Sequence, residues 1–156
     1  MKFGGIVPQV DFSTPTYSNG HWQFPERMGD GVGFIYVIRD NVLQRFYLGK
    51  KSFSKSAGYG DRQGSGWRYY TTSSKTIAGI LTVRPMEEFD FICLEQYNSK
   101  SGLSYAETWT LCFVEAPTST QWYNTRIEKV SWAVKEGVTE RHKRRLADTM
   151  AFKDMR

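Results

Sequence analysis

Residues 33–51 read GFIYVIRDNVLQRFYLGKK. The stretch GFIYVIR (33–39) is dense in aromatic and β-branched side chains, which fit a pleated strand. Asp40-Asn41 supplies a turn, because both side chains bond nearby backbone and tolerate a tight bend. LQRFYLGKK (43–51) returns as a second strand, so the segment predicts a β-hairpin. It carries two tyrosines eleven positions apart, Tyr36 and Tyr47. They fit either half-buried sheet positions or a matched pair of phenols aimed at one substrate.

Working outward, residues 1–32 are rich in Gly, Pro, Ser and Thr, with rings at Phe12, Tyr17, Trp22 and Phe24. This reads as an irregular N-terminal arm that packs onto the domain through those rings. Downstream, SFSKSAGYGDRQGSG (52–66) is a polar, glycine-rich, mobile loop by composition. GWRYYTTSSKTIAGILT then runs into a short helix, with Ser73 or Ser74 as N-cap and Pro85 as its end. FDFICLEQY (89–97) is a third strand. A second helix follows over LSYAETWTLCFVEA, capped by Ser101 or Ser104 and closed by Pro117. RIEKVSWAVKEG fits a strand or a helix, and TERHKRRLADTMAF a basic terminal helix. The expected fold is α+β: a small three-stranded antiparallel sheet flanked by helices. Its parts are an N-terminal arm (1–32), a central domain (33–126) and a basic C-terminal extension (127–156).

The bulk composition sets the class. With 156 residues, 40% hydrophobic and 24% charged, the chain can bury a core, and wholesale disorder is excluded. A net charge of +5 leans toward a polyanionic partner. Cys93 and Cys112 each lie in an apolar run without a CxxC or a histidine nearby, so both read as buried thiols. His21 and His142 lack any partner at ligand spacing. MKFGGIVPQVDFSTP has no sustained apolar core of a secretory leader, and no stretch approaches the ~20 apolar residues of a membrane span. The expected compartment is the cytoplasm.

The second helix holds a local anomaly. Leu103, Leu111 and Val114 recur at helical spacing as an apolar stripe, and Glu107 stands within it. An ionised carboxylate facing a core costs several kcal/mol unless it is paired or bound to a cation. A basic side chain, a hydrogen-bonding network or a divalent metal should therefore meet Glu107. A second apolar face (Ala106, Trp109, Phe113) leaves Glu107 near the stripe's edge.

GFIY followed by FYLG resembles the paired motif of the GIY-YIG nuclease superfamily. The first triplet here is Phe34-Ile35-Tyr36 and the second Tyr47-Leu48-Gly49, each departing from the name at one position. The order of the other parts matches as well: Lys50-Lys51, Trp67-Arg68-Tyr69-Tyr70, Ser73-Ser74, Tyr105-Ala106-Glu107 and Tyr123-Asn124. YLGKKSF and WRYYTTSS look closest to the phage-borne branch, which includes homing-type endonucleases. The resemblance covers residues 33 to 126.

The resemblance implies a metal-dependent DNA endonuclease. Tyr36 would be the phenol that activates the attacking water, and Tyr47 would position that water or the scissile phosphate. Glu107 would be the one protein ligand of a divalent ion, Mg²⁺ or Mn²⁺. An arginine would stabilise the charged transition state, and Asn124 would support the geometry. The family's arginine lies nearer the second motif, at a position held here by Ala57. Arg68 and Arg62 are the candidates, with Arg68 favoured beside the aromatic run and the helix start. The family's histidine has no counterpart; Tyr69, Tyr70 or Thr72 occupy its neighbourhood.

Phosphodiester hydrolysis suits this set. Charge develops on phosphoryl oxygens and leaving alkoxide, so a cation and a guanidinium are natural stabilisers. A phenol of pKa about 10 is a poor base in water, and Lys50, Lys51, Arg68 and the metal field are expected to lower it. Lys50, Lys51, Arg62, Arg141, Lys143, Arg144 and Arg145 are the expected DNA contacts, the last four in the densest basic cluster of the chain. DNA is thus the expected partner, with a homodimer or a second protein supplying target choice. Two rivals share the fold: a catalytically silent DNA-binding module and a phage structural or assembly accessory.

Overall fold

The computed structural model describes residues 19–54, 66–130 and 133–151. Strands β1 (Gly33–Asp40), β2 (Arg45–Ser52) and β3 (Phe89–Tyr97) form one antiparallel sheet in the order β2-β1-β3. Helices α1 (Lys75–Val83), α2 (Lys100–Phe113) and α3 (Glu140–Met150) complete an α+β architecture. Single 3-10 turns stand at Trp67–Tyr69, Met86–Glu88 and Ala116–Thr118.

β1 is central and covered on both faces, which is why it reads as a continuous apolar run rather than an alternating one. Ile35 and Val37 face one core with Phe46, Leu48, Ile92 and Leu94, roofed by Leu103, Ala106 and Leu111 of α2 and Leu146 of α3. Phe34, Tyr36 and Ile38 face the other, with Phe91, Cys93, Trp67 and Ile77 of α1. At the hairpin, Asp40 accepts from the amides of Val42 and Leu43 at 3.0 Å each, the Asx bond that its sequence position foreshadows. Arg84 donates to the same carboxylate at 2.6 and 2.7 Å. Burial pushes this carboxyl up, but Arg84, the Leu43 amide and Tyr123 outweigh it and hold it below the usual carboxylate range.

The described part of the arm is built into the second core. Trp22 is buried, donates from Nε1 to the Trp67 carbonyl at 2.6 Å, and sets its ring 5.0 Å from Phe34 and 4.8 Å from Tyr36. Phe24 and Met28 are buried beside it. Gln23 extends the sheet by one bridge, accepting from the Cys93 amide at 3.0 Å and donating from its own amide to the Phe91 carbonyl at 2.8 Å. Phe12 and Tyr17 lie outside the described residues, as does most of the 52–66 loop.

Three expectations need correction. The N-cap of α2 is Ser99, not Ser101 or Ser104: its Oγ accepts from the Gly102 amide at 3.0 Å, and the helix starts one turn earlier than its apolar stripe. Ser104 instead accepts from Lys50. Cys93 is buried, but Cys112 is exposed on the outer side of α2. RIEKVSWAVKEG forms neither strand nor helix over its described residues. It is held by side chains, with Thr108 Oγ1 donating to the Glu128 carbonyl at 2.8 Å and Ser99 Oγ to the Glu136 carboxylate at 2.7 Å.

Candidate active site

The β1–β2 register places Tyr36 opposite Gly49 and Ile38 opposite Tyr47, so both phenols project to the Trp22 side of the sheet. Their ring centroids are 6.3 Å apart. A Cβ at Gly49 would run into the Tyr36 ring and hydroxyl, so the missing side chain is what lets the phenol pass over the edge of β2. Thr72 stands close enough to both phenols to favour their ionisation, and Tyr70 close enough to Tyr36 to oppose it. Thr72 Oγ1 also accepts from the Ser74 amide at 2.9 Å, and Ser74 caps α1, which ties the helix start to the tyrosine pair. Burial, with Tyr47 and Tyr70 alongside, pushes the Tyr36 phenol well above its ordinary range. That is opposite to the lowering expected from neighbouring cations: the ring is only 1% exposed, and no lysine or arginine figures among the causes of its shift.

From the other face, Lys50 lies opposite Ile35 and reaches α2. Its Nζ donates to Ser104 Oγ at 3.0 Å and stands 3.6 Å from Glu107 Oε1. Glu107 is half-buried; burial raises its pKa, Lys50 opposes that rise, and Glu128 adds to it. The same Glu107 charge raises the Tyr47 phenol beyond what burial does, so the carboxylate and this phenol face one space.

β2 is an edge strand, and residues 121–124 cover part of that edge. The Phe46 amide donates to the Gln121 carbonyl at 2.8 Å and the Tyr123 amide to the Phe46 carbonyl at 2.7 Å. One rung further, the Asn124 side chain replaces backbone: it accepts from the Leu48 amide at 2.9 Å and donates to the Leu48 carbonyl at 2.8 Å. Beyond this rung opens a cleft of about 740 Å³, lined by Tyr36, Tyr47, Lys50, Glu107, Asn124 and Arg126, with the start of α1 as a further wall.

A family model described as putative endonuclease segE, GIY-YIG domain, matches residues 16–127. The chain belongs to this GIY-YIG family. No curated protein and no solved structure matches it. The match begins inside the arm, and Trp22, Phe24 and Met28 of that arm share a core with Tyr36.

Of the residues that the GIY-YIG resemblance singles out, Tyr36, Tyr47, Glu107 and Asn124 line this cleft together. Arg68 does not line it: its guanidinium lies over the Trp67 ring, 4.5 Å from the centroid. Arg62 lies outside the described residues. Lys51 turns onto the Tyr70 ring at 4.2 Å. In the basic cluster only Lys143 and Arg144 are exposed. Arg141 grips the buried Glu95 at 3.0 and 2.8 Å, and Arg145 donates to the carbonyls of Cys93 and Gln23 at 2.7 and 3.0 Å. Both are engaged in docking α3 onto β3, at the other side of the sheet from the cleft.

The donor set in this GIY-YIG cleft fits a hard divalent ion that keeps most of its waters. Among the described residues no three His, Cys, Asp or Glu side chains are grouped so as to hold a metal ion, whereas Glu107 is a half-buried carboxylate facing open space. The histidines are occupied elsewhere: His21 bonds the Tyr70 carbonyl at 2.9 Å, and His142 sits between Tyr97 and Thr110 at 2.9 and 2.8 Å. Among the charged residues of the lining, those that sequence did not single out are Lys75, Arg126 and Glu128. Arg126 stands only two residues after Asn124, and that proximity was the available signal.

Gly49→Ala is expected to cost about 1–3 kcal/mol, because the Tyr36 ring is pinned by Trp22 and has little room to shift. Urea unfolding measures it; a midpoint equal to wild type would show that the ring does not need the gap.

Proposed function

We propose that this GIY-YIG domain is a metal-dependent DNA endonuclease that hydrolyses phosphodiester bonds. The observation that carries the reading is the convergence of two phenols, one half-buried carboxylate and a strand-capping asparagine on one open cleft. A net charge of +5 suits the polyanionic substrate. YLGKKSF and WRYYTTSS favour a phage-borne enzyme, which would act on DNA in the host cytoplasm. No helix among the described residues is long and apolar enough to cross a membrane.

Glu107 would hold Mg²⁺ or Mn²⁺, which when bound supplies Lewis-acid neutralisation of phosphoryl charge and a lowered pKa for coordinated water. Lys50, 3.6 Å away, favours the ionised form of Glu107 against the cost of its burial. Tyr36 acts as its phenolate, a minor form at neutral pH because burial raises its pKa. In that form its oxygen, beside Thr72 and Tyr70, orients the attacking water and accepts a proton from it as the bond to phosphorus forms, leaving the neutral phenol. Tyr47, sharing Thr72 and facing Glu107, positions that water or the scissile phosphate. Asn124 acts through β2: its two bonds to Leu48 fix the edge that carries Tyr47 and Gly49. One such site cuts one strand, so double-strand scission needs a homodimer or two visits.

The test is cleavage of end-labelled duplex DNA. Cutting is expected with Mg²⁺ or Mn²⁺ and not with EDTA. Because the Tyr36 pKa is raised, its phenolate is scarce at neutral pH and grows about tenfold per pH unit, so the rate should climb from about pH 6 to 9. Cutting undiminished in EDTA would overturn the metal assignment. Salt-sensitive binding without any cutting would favour the silent DNA-binding module.

A further inference from the structure

We propose that Arg126 is the guanidinium that stabilises the phosphoryl transition state in this cleft, the role that Arg68 was expected to fill; the inference rests on the nuclease reading above.

Negative charge spreading over phosphoryl oxygens calls for a cation already in place when the bond breaks. Among the described residues, most cations around the cleft are committed. Lys50 serves Ser104 and Glu107, Lys51 covers Tyr70, Arg68 covers Trp67, and Arg45 lies over the Tyr123 ring at 3.9 Å. Arg126 lines the cleft, is exposed, and makes no hydrogen bond or ion pair among the described residues, although Glu107 and Glu128 line the same cleft.

The backbone that carries it is fixed at both ends. Two residues before it, Asn124 is bonded twice to Leu48; two residues after it, the Glu128 carbonyl accepts from Thr108 Oγ1 at 2.8 Å. Leu48 is the sequence neighbour of Tyr47, and Thr108 that of Glu107. The segment 124–128 therefore bridges the strand bearing the phenol to the helix bearing the carboxylate, with Arg126 at its middle. A guanidinium so placed offers a planar fork to two phosphate oxygens, which an ammonium cannot match. Lys75, at the first turn of α1 and likewise without a hydrogen bond or ion pair among the described residues, adds a second positive charge to the lining.

Single-turnover cleavage with Mg²⁺, paired with DNA binding in Ca²⁺, tests the assignment on the full chain. Arg126→Ala should lower the rate at saturating enzyme by about 10²–10³-fold. Its binding constant should change far less, since one phosphate contact among several is lost. Arg126→Lys should recover part of the rate, and Arg68→Ala should cut at close to the wild-type rate. Thermal melting of Arg126→Ala should match wild type, because the side chain is exposed. A wild-type rate in Arg126→Ala would overturn the inference while leaving the nuclease reading intact. So would a defect confined to binding, or a loss that follows Arg68 instead. A wild type that cuts nothing overturns the nuclease reading, and this inference with it.

Discussion

Glu107→Gln should lower metal-dependent cleavage by about 10²–10³-fold without weakening the fold. The amide keeps the side chain's shape and removes its charge. Burial opposes ionisation of Glu107, and among the described residues the cation paired with it is a lysine at 3.6 Å that already has a second partner in Ser104. A carboxylate retained for structure would behave otherwise: its loss would leave Lys50 unpaired and lower the melting temperature. Cleavage rate, Mn²⁺ titration and thermal melting on the same variant separate the two. An active variant with a lowered melting point would return Glu107 to the class of structural ion pairs.

The second large effect is on stability and lies in the arm. Trp22→Ala should cost about 3–5 kcal/mol, the usual range for removing a buried large aromatic. Its ring meets Phe34, Tyr36 and Phe91, and its Nε1 bond to Trp67 closes that core over the 3-10 turn leading to Thr72. The same substitution should disturb Tyr36, since the void opens against that ring. Urea unfolding gives the cost; a loss below about 1 kcal/mol would mean that the arm merely lies on the domain surface.

How far the chain could be read depends on where each signal resides. β3 follows its predicted bounds, and β1 extends only to Asp40, because apolar content and turn chemistry are local properties. Trp22 could be predicted to pack, but not to share a core with Tyr36, because that burial is created by strands far along the chain. The basic run 141–145 misled for a related reason. Charge density says nothing of helical phase, and Arg141 and Arg145, four apart, turn to the side that meets Glu95 and the Cys93 carbonyl. RIEKVSWAVKEG lacked a clear period and adopts none; its bonds come from α2 side chains and from residues at the end of β3.

The candidate site shows the same division. Tyr36, Tyr47, Glu107 and Asn124 were legible because each sits on or beside a regular element with a motif to mark it. Gly49 acquired its physical reason only from the register, which sets Tyr36 across it. Arg126 was marked only by its place two residues after Asn124, since nothing else local distinguishes an arginine in an irregular stretch. Thr72, lost among neighbouring hydroxyls, is recognised only by the two phenols that converge on it.

The measurement that bears most directly on the cleft as a nuclease site is relaxation of supercoiled plasmid in Mg²⁺ by wild type, Glu107→Ala and Tyr36→Phe, side by side. Nicking by the wild type alone is the expected result and would tie the carboxylate and the phenol to one reaction. Equal nicking by all three proteins would contradict it, because the chemistry would then lie outside the cleft where Tyr36 and Glu107 meet.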